Sequence, residues 1–135
     1  MDEHLLKAYC RSAYRVRLPA GGAAVMRIGE PLPVILRPLA GNRDWGFLTA
    51  WNPRSQPQSP AANRQAQRRL LADLRAERGL VIHPALGIGT DGWREPSFWI
   101  VGIGADALER LGERYGQNGW LQGHGASAAQ LRLRD

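Results

Sequence analysis

Phe47-Leu48-Thr49-Ala50-Trp51-Asn52-Pro53-Arg54-Ser55 decides the arrangement of the chain: an apolar strand that runs straight into a polar turn. Taken from Trp45 to Trp51, the strand places Phe47, Thr49 and Trp51 on one face and Leu48, Ala50 and Asn52 on the other. Both faces are mostly apolar, the pattern of a central strand. Pro53 to Gln58 is a rigid turn, after which Ser59 takes the N-cap position and Pro60 the first helical position. The helix is predicted to reach Arg78 and to stop at Gly79.

Downstream, Leu80 to Ala85 reads as the next strand, and the glycine-rich stretch Leu86 to Glu95, with Trp93 inside it, as a loop that turns the chain back. Ser97 to Ile103 is a strand. Gly104 opens a helix with Ala107, Leu108, Leu111 and Tyr115 on one stripe, ended by Gly116, and Gln117 to Gln122 is a further strand. Ala129 to Arg134 alternates like a last edge strand. Upstream, Asp2 to about Ser12 forms a short docking helix on which Cys10 packs as a small hydrophobe. Tyr14 to Leu18 and Ala24 to Ile28 form a hairpin, and Glu30-Pro31-Leu32-Pro33 opens a short helix that Pro38 ends.

From Trp45 to Gln122 the order is strand, helix, strand, strand, helix, strand, that of a ferredoxin-like split βαβ unit. The predicted class is α/β (α+β), a ferredoxin-like core with an N-terminal helix, hairpin and short helix and a C-terminal edge strand. Right-handed crossovers put the opening strand antiparallel between the third and fourth strands of this unit. Its C-terminal end, Asn52 and Pro53, therefore lies beside Glu95-Pro96-Ser97 and beside Gln117-Asn118. The long helix begins there too, and His83 and the Leu86–Glu95 loop reach the same edge. In projection Asn63 falls on the buried stripe of Ala66, Leu70 and Leu74, so its amide faces inwards and must find partners.

With 135 residues, 44% of them hydrophobic and 22% charged, the chain fits one folded domain, 1–135. No apolar run approaches a membrane span, and the N-terminus lacks the pattern of a secretory signal, so a cytoplasmic location is expected. Cys10 is the single cysteine, which excludes an internal disulfide and a cysteine-built metal site. His4, His83 and His124 are too scattered for metal ligands, and neither a metal nor a cofactor is expected. The net charge of +6 and pI near 10.7 favour polyanions. The excess is nearly all arginine, spread along the chain with no run longer than Arg68-Arg69, which argues against nucleic acid as the partner.

These residues resemble a known family, the bacterial domain-of-unknown-function family numbered 3293. The resemblance is carried by Phe47 to Ser55, by Ser59 and Asn63-Arg64, by Glu95-Pro96-Ser97-Phe98, and by Tyr115-Gly116-Gln117-Asn118, and it spans roughly Tyr14 to Leu121. It implies a small bacterial protein without an assigned activity. Gly119-Trp120 departs from the smaller aliphatic residues expected there.

The sheet end is thus the candidate site. Asn52, Arg54, Ser55, Asn63, Arg64, Ser97 and Gln117 are its ligand-binding candidates and Glu95 its acid/base candidate, with Trp51 or Trp93 as a wall and the Leu86–Glu95 loop as a lid. The helix start and Arg54 and Arg64 suit a small anionic or nucleotide-like ligand. No motif fixes a reaction, so enzymatic activity stays open. Against this stands a purely structural role: Asn52 and Ser55 as turn formers, Asn63 as the tie between turn and helix, and Glu95 paired with Arg54 or Arg64. Two other functions are weighed. One is nucleic-acid binding on an open sheet face by Phe47, Trp51 and Trp99. The other is protein interaction or homodimer formation through the last strand, which carries Arg132 and Arg134.

Overall fold

A computed structural model describes residues 3–134 of the protein. Within them, one seven-stranded antiparallel sheet carries four helices, an α+β architecture. Helix α1 is Glu3–Arg11, followed by β1 (Ala13–Arg17), β2 (Ala23–Met26), a 3-10 turn at Val34–Leu36 and the short α2 (Arg37–Ala40). Then come β3 (Asp44–Leu48), α3 (Pro60–Ala76), β4 (Val81–Ile88), β5 (Arg94–Val101), α4 (Ala105–Arg114), β6 (Gly119–His124) and β7 (Gln130–Leu133). The sheet order is β2-β1-β4-β5-β3-β6-β7. As the crossover argument requires, β3 lies between β5 and β6 and is antiparallel to both.

The sheet is curled, with one core inside the curl and another outside it. The inner core holds Tyr14, Met26, Leu36, Trp45, Phe47, Trp99 and Leu121. It is closed by the chain after β2, where Ile28 and Pro31 bridge to Ala129 and Ala128 and so join the two ends of the sheet. The outer core lies under α3 and α4 and holds Leu48, Leu70, Leu74, Ile100, Leu108 and Trp120. Strand alternation explains the split: Phe47 and Trp99 point inwards, Leu48 and Ile100 outwards. Phe47 and Trp99 are buried, Trp99 completely, so neither can stack on a base.

The β1–β2 hairpin joins the central sheet at its edge, with Val16 opposite Ala85 and Tyr14 opposite Gly87. The structure corrects several expectations. The Leu86–Glu95 stretch is no loop. It is the end of a β4–β5 hairpin in which Gly87 pairs with Glu95 and Ile88 with Arg94, leaving only a tight turn closed by Gly89 N to Trp93 O at 2.7 Å. The lid is therefore absent, and His83 lies opposite Trp99 in mid-sheet instead of at the strand end. Strand β3 stops at Leu48, α3 at Ala76, and β6 begins at Gly119. Pro38 does not end a helix; it sits in the first turn of α2, where its missing N–H is not needed. Cys10 is exposed. Asp2, the first residue of the predicted N-terminal helix, lies outside the described residues.

The unusual pair Gly119-Trp120 fits its surroundings. A Cβ on Gly119 would lie 3.2 Å from the Tyr9 ring, and the Trp120 ring covers Gly112 of α4 so closely that no side chain fits there. Glycine on the helix makes room for the large ring on the strand.

Candidate functional site

Where β3 ends, side chains replace the sheet as hydrogen-bond partners. Ala50 N donates to Gln67 Oε1 at 2.9 Å, and Thr49 Oγ1 accepts from Trp51 N at 3.0 Å while donating to Pro96 O at 2.7 Å. The turn that follows is strained. Asn52, Arg54 and Ser55 all have left-handed backbones, with φ of 44°, 59° and 60°. Each left-handed residue other than glycine costs roughly 1–2 kcal/mol, least for asparagine. The strain is held by bonds from several directions: Arg54 N to Gly116 O at 2.6 Å, Gln117 Nε2 to Trp51 O at 3.1 Å, Asn118 Nδ2 to Ser55 Oγ at 3.0 Å, and Asn52 N to Asn63 Oδ1 at 2.8 Å.

Asn63 is buried, as its place on the α3 stripe requires, at 2% exposure. Its Oδ1 accepts from Asn52 N and from Gln58 Nε2 (2.6 Å), and its Nδ2 donates to Asn52 Oδ1 at 2.9 Å. Asn52 Oδ1 also accepts from Gln58 N at 3.2 Å, and Asn52 Nδ2 donates to Glu95 Oε2 at 3.2 Å. The two asparagines thus satisfy each other and link the turn to both α3 and β5. Ser59 caps α3 by accepting from Ala62 N at 3.1 Å, as its sequence position implies.

Glu95 is half-buried on the inner side of the curl. Burial raises its carboxyl above the usual carboxylate range, and the Trp93 and Asn52 side chains, which bond to it, partly counter that rise. Tyr9 of α1 reaches the same place. Its hydroxyl is pushed up to about 12, first by burial and then by the Glu95 charge, against hydrogen bonds from Ser55 and the Gly119 backbone. Tyr14 packs edge-on against Phe47 with ring centroids 5.2 Å apart and donates to Tyr9 O at 2.7 Å. Two donors at the strand end, Trp51 Nε1 and Gln67 Nε2, are buried without a hydrogen-bond partner.

The structure therefore gathers Asn52, Ser55, Asn63, Glu95 and Gln117 at one end of the sheet. Ser97 is there too, but its hydroxyl is spent on Glu95 O at 2.9 Å. Arg54 and Arg64 are exposed, and Glu95 bonds to Asn52 and Trp93, not to either arginine. Sequence reasoning missed Tyr9, Gln58, Gln67 and Thr49. Gln67 had a signal, since it lies one turn beyond Asn63 on the buried face of α3; Tyr9 had none. Among the described residues, no three His, Cys, Asp or Glu side chains come together as a metal would need, and no helix is long and apolar enough to cross a membrane.

Residues 48–119 match the family described as "Protein of unknown function (DUF3293)". The match covers more than half of the chain and includes the turn, α3, the β4–β5 hairpin and α4, and the chain belongs to this family. No curated protein and no solved structure matches it.

Proposed function

We propose that this member of the family binds a small anionic, nucleotide-like metabolite at the sheet end built around the 52–55 turn. The observation that carries the reading is the turn itself, with three left-handed residues fixed by α3, by the segment between α4 and β6 and, through Asn52, by β5. Backbone strain held by so many partners is characteristic of sites where the main chain must present a ligand-binding geometry. Beside it stand a half-buried carboxyl, an exposed indole at Trp93, and unpartnered donors at Trp51 and Gln67.

The chemistry divides by residue. Glu95 accepts from ring N–H or amino groups of the ligand, or serves as acid/base group if the site is catalytic. Trp93, 39% exposed, supplies a stacking wall. Arg54 and Arg64 meet the negative charge. Asn52, Ser55, Asn63 and Gln117 hold the turn. For Asn63 the closed set of bonds favours this positioning role over direct ligand contact. We read the β4-β5-β3-β6 strands with α3 and α4 as a ferredoxin-like core that brings the parts together, in a soluble cytoplasmic protein of bacterial type.

A thermal-shift screen of nucleotides, sugar phosphates and amino acids tests the proposal. A ligand at a hundred times its Kd raises stability by about 2.7 kcal/mol. Glu95→Gln and Arg54→Ala should abolish the shift while leaving the far-UV spectrum unchanged. A hit that survives both substitutions refutes this site, and a screen with no hit at millimolar ligand refutes the small-metabolite reading.

A further inference from the structure

Arginines scattered through the sequence gather on one outer face of the sheet, opposite the inner face on which Glu95 lies. We propose that this face, formed by β1, β2, β4 and the start of β5, binds the phosphate backbone of a single-stranded nucleic acid. Strand β1 turns Tyr14 and Val16 inwards and leaves Arg15 and Arg17 exposed. Arg27 follows β2, and its guanidinium reaches Arg11 O at 3.5 Å, which brings the end of α1 to the same cluster. Arg94 pairs with Ile88, which in turn pairs with Ala13 of β1.

Among the described residues no carboxylate forms an ion pair with these guanidinium groups. Strands β1, β2 and β4 contain neither Asp nor Glu, and strand alternation sends Glu95 to the face opposite Arg94. Among the described residues the ion pairs are Lys7–Glu3, Arg114–Asp73 and His124–Asp44, none of which involves Arg15, Arg17, Arg27 or Arg94. Like charges gathered in this way repel one another, and an anionic partner relieves the repulsion.

The floor between the arginines is apolar and open. Val25 is 45% exposed, and Arg15, Arg17, Ala23, Pro84 and Leu86 line a shallow groove of about 360 Å³. A groove fits a strand-like polyanion better than a flat membrane does. Arg15 and Arg17 stand two residues apart on an extended strand, about 6.8 Å, a step that suits successive phosphates. Their guanidinium forks bind phosphate oxygens in pairs and stack on bases without sequence preference.

Fluorescence anisotropy with a labelled single-stranded oligonucleotide tests this. Contact with about four phosphates predicts that log K falls with log salt at a slope of about −3. Arg15→Glu/Arg17→Glu should weaken binding at least about tenfold and flatten that slope. Arg75→Glu/Arg110→Glu, which changes net charge equally on exposed helix positions, should leave affinity within about twofold. Absent binding at low salt, equal loss in both double variants, or equally tight binding of polyglutamate or anionic vesicles would each overturn the proposal. The ligand screen at the 52–55 turn reads a different site, so the two proposals fail separately.

Discussion

Replacing Asn63 by alanine removes the amide that ties the strained turn to α3, with no penalty in helix propensity to confuse the result. Three hydrogen bonds of 3.0 Å or less go with it: from Asn52 N, from Gln58 Nε2 and to Asn52 Oδ1. The two shared with Asn52 contribute about 1 kcal/mol each, and the Asn52 N–H left without a partner adds about 1 kcal/mol or more. Relaxation of Asn52 out of its left-handed conformation returns roughly 1 kcal/mol. The expected net loss is about 2–3 kcal/mol, a Tm lower by roughly 10 °C for a chain of this size. Urea unfolding followed by the fluorescence of the five tryptophans, with far-UV circular dichroism in parallel, measures it. In a double-mutant cycle with Asn52→Ala, the pair should show a coupling of about 1–3 kcal/mol. A loss below about 0.5 kcal/mol, the range of an ordinary surface substitution, or strict additivity in the cycle, would refute the claim that this amide pair fixes the turn.

Other outcomes follow from single contacts. Because burial raises the Glu95 carboxyl, the folded state keeps its proton to higher pH than the unfolded chain does. Stability should therefore fall as pH rises from the ordinary carboxylate range through the folded value. Glu95→Gln removes this dependence, so urea midpoints of the variant should gain on the wild type as pH rises; a gap that does not change with pH would contradict the burial argument. Gly112→Ala puts a methyl group into the Trp120 ring, 2.8 Å from Cη2, and should cost about 1–3 kcal/mol by overpacking, read as a lower urea midpoint. Ser59→Ala removes the α3 cap and should cost about 1 kcal/mol, while Ser59→Gly should cost only a few tenths.

The central part of the fold was legible because its signals are local or follow from handedness. The Ser59-Pro60 start of α3, the stripe of α4 and the two apolar faces of β3 are each visible in a short window. The neighbours of β3 then follow from right-handed crossovers. The β4–β5 hairpin was not legible past Ala85, because Gly87 and Gly89 imitate a loop. Gly87 belongs to the strand because its backbone pairs on both sides, with Tyr14 and with Glu95, and such pairing leaves no mark on composition. The β1–β2 hairpin shows the same limit. Its alternation reveals that one face is buried, but the pairing of Val16 with Ala85 spans about half of the chain and is invisible along it. The arginine face was hidden for that reason too, since its members come from β1, from the residue after β2 and from β5.

Within the site, legibility follows how strongly burial constrains each group. An amide on the core stripe of a helix must be paired, so the inward position of Asn63 could be derived before any contact was known. Tyr9 could not, because an aromatic on an amphipathic helix needs no particular partner. The same reasoning separates structure from function in the cluster. Asn52 and Asn63 exchange bonds with each other and with Gln58, leaving little capacity for a ligand. Glu95 differs, because its bonds to Asn52 and Trp93 do not offset the cost of its burial. A donor that replaced water at this carboxylate would lower that cost, so bound ligand should bring the Glu95 carboxyl back towards its ordinary range. Carboxyl titration by NMR in the presence and absence of a screening hit reads this directly. An unchanged titration, with the thermal shift retained, would place the ligand elsewhere and leave the turn a purely structural clasp.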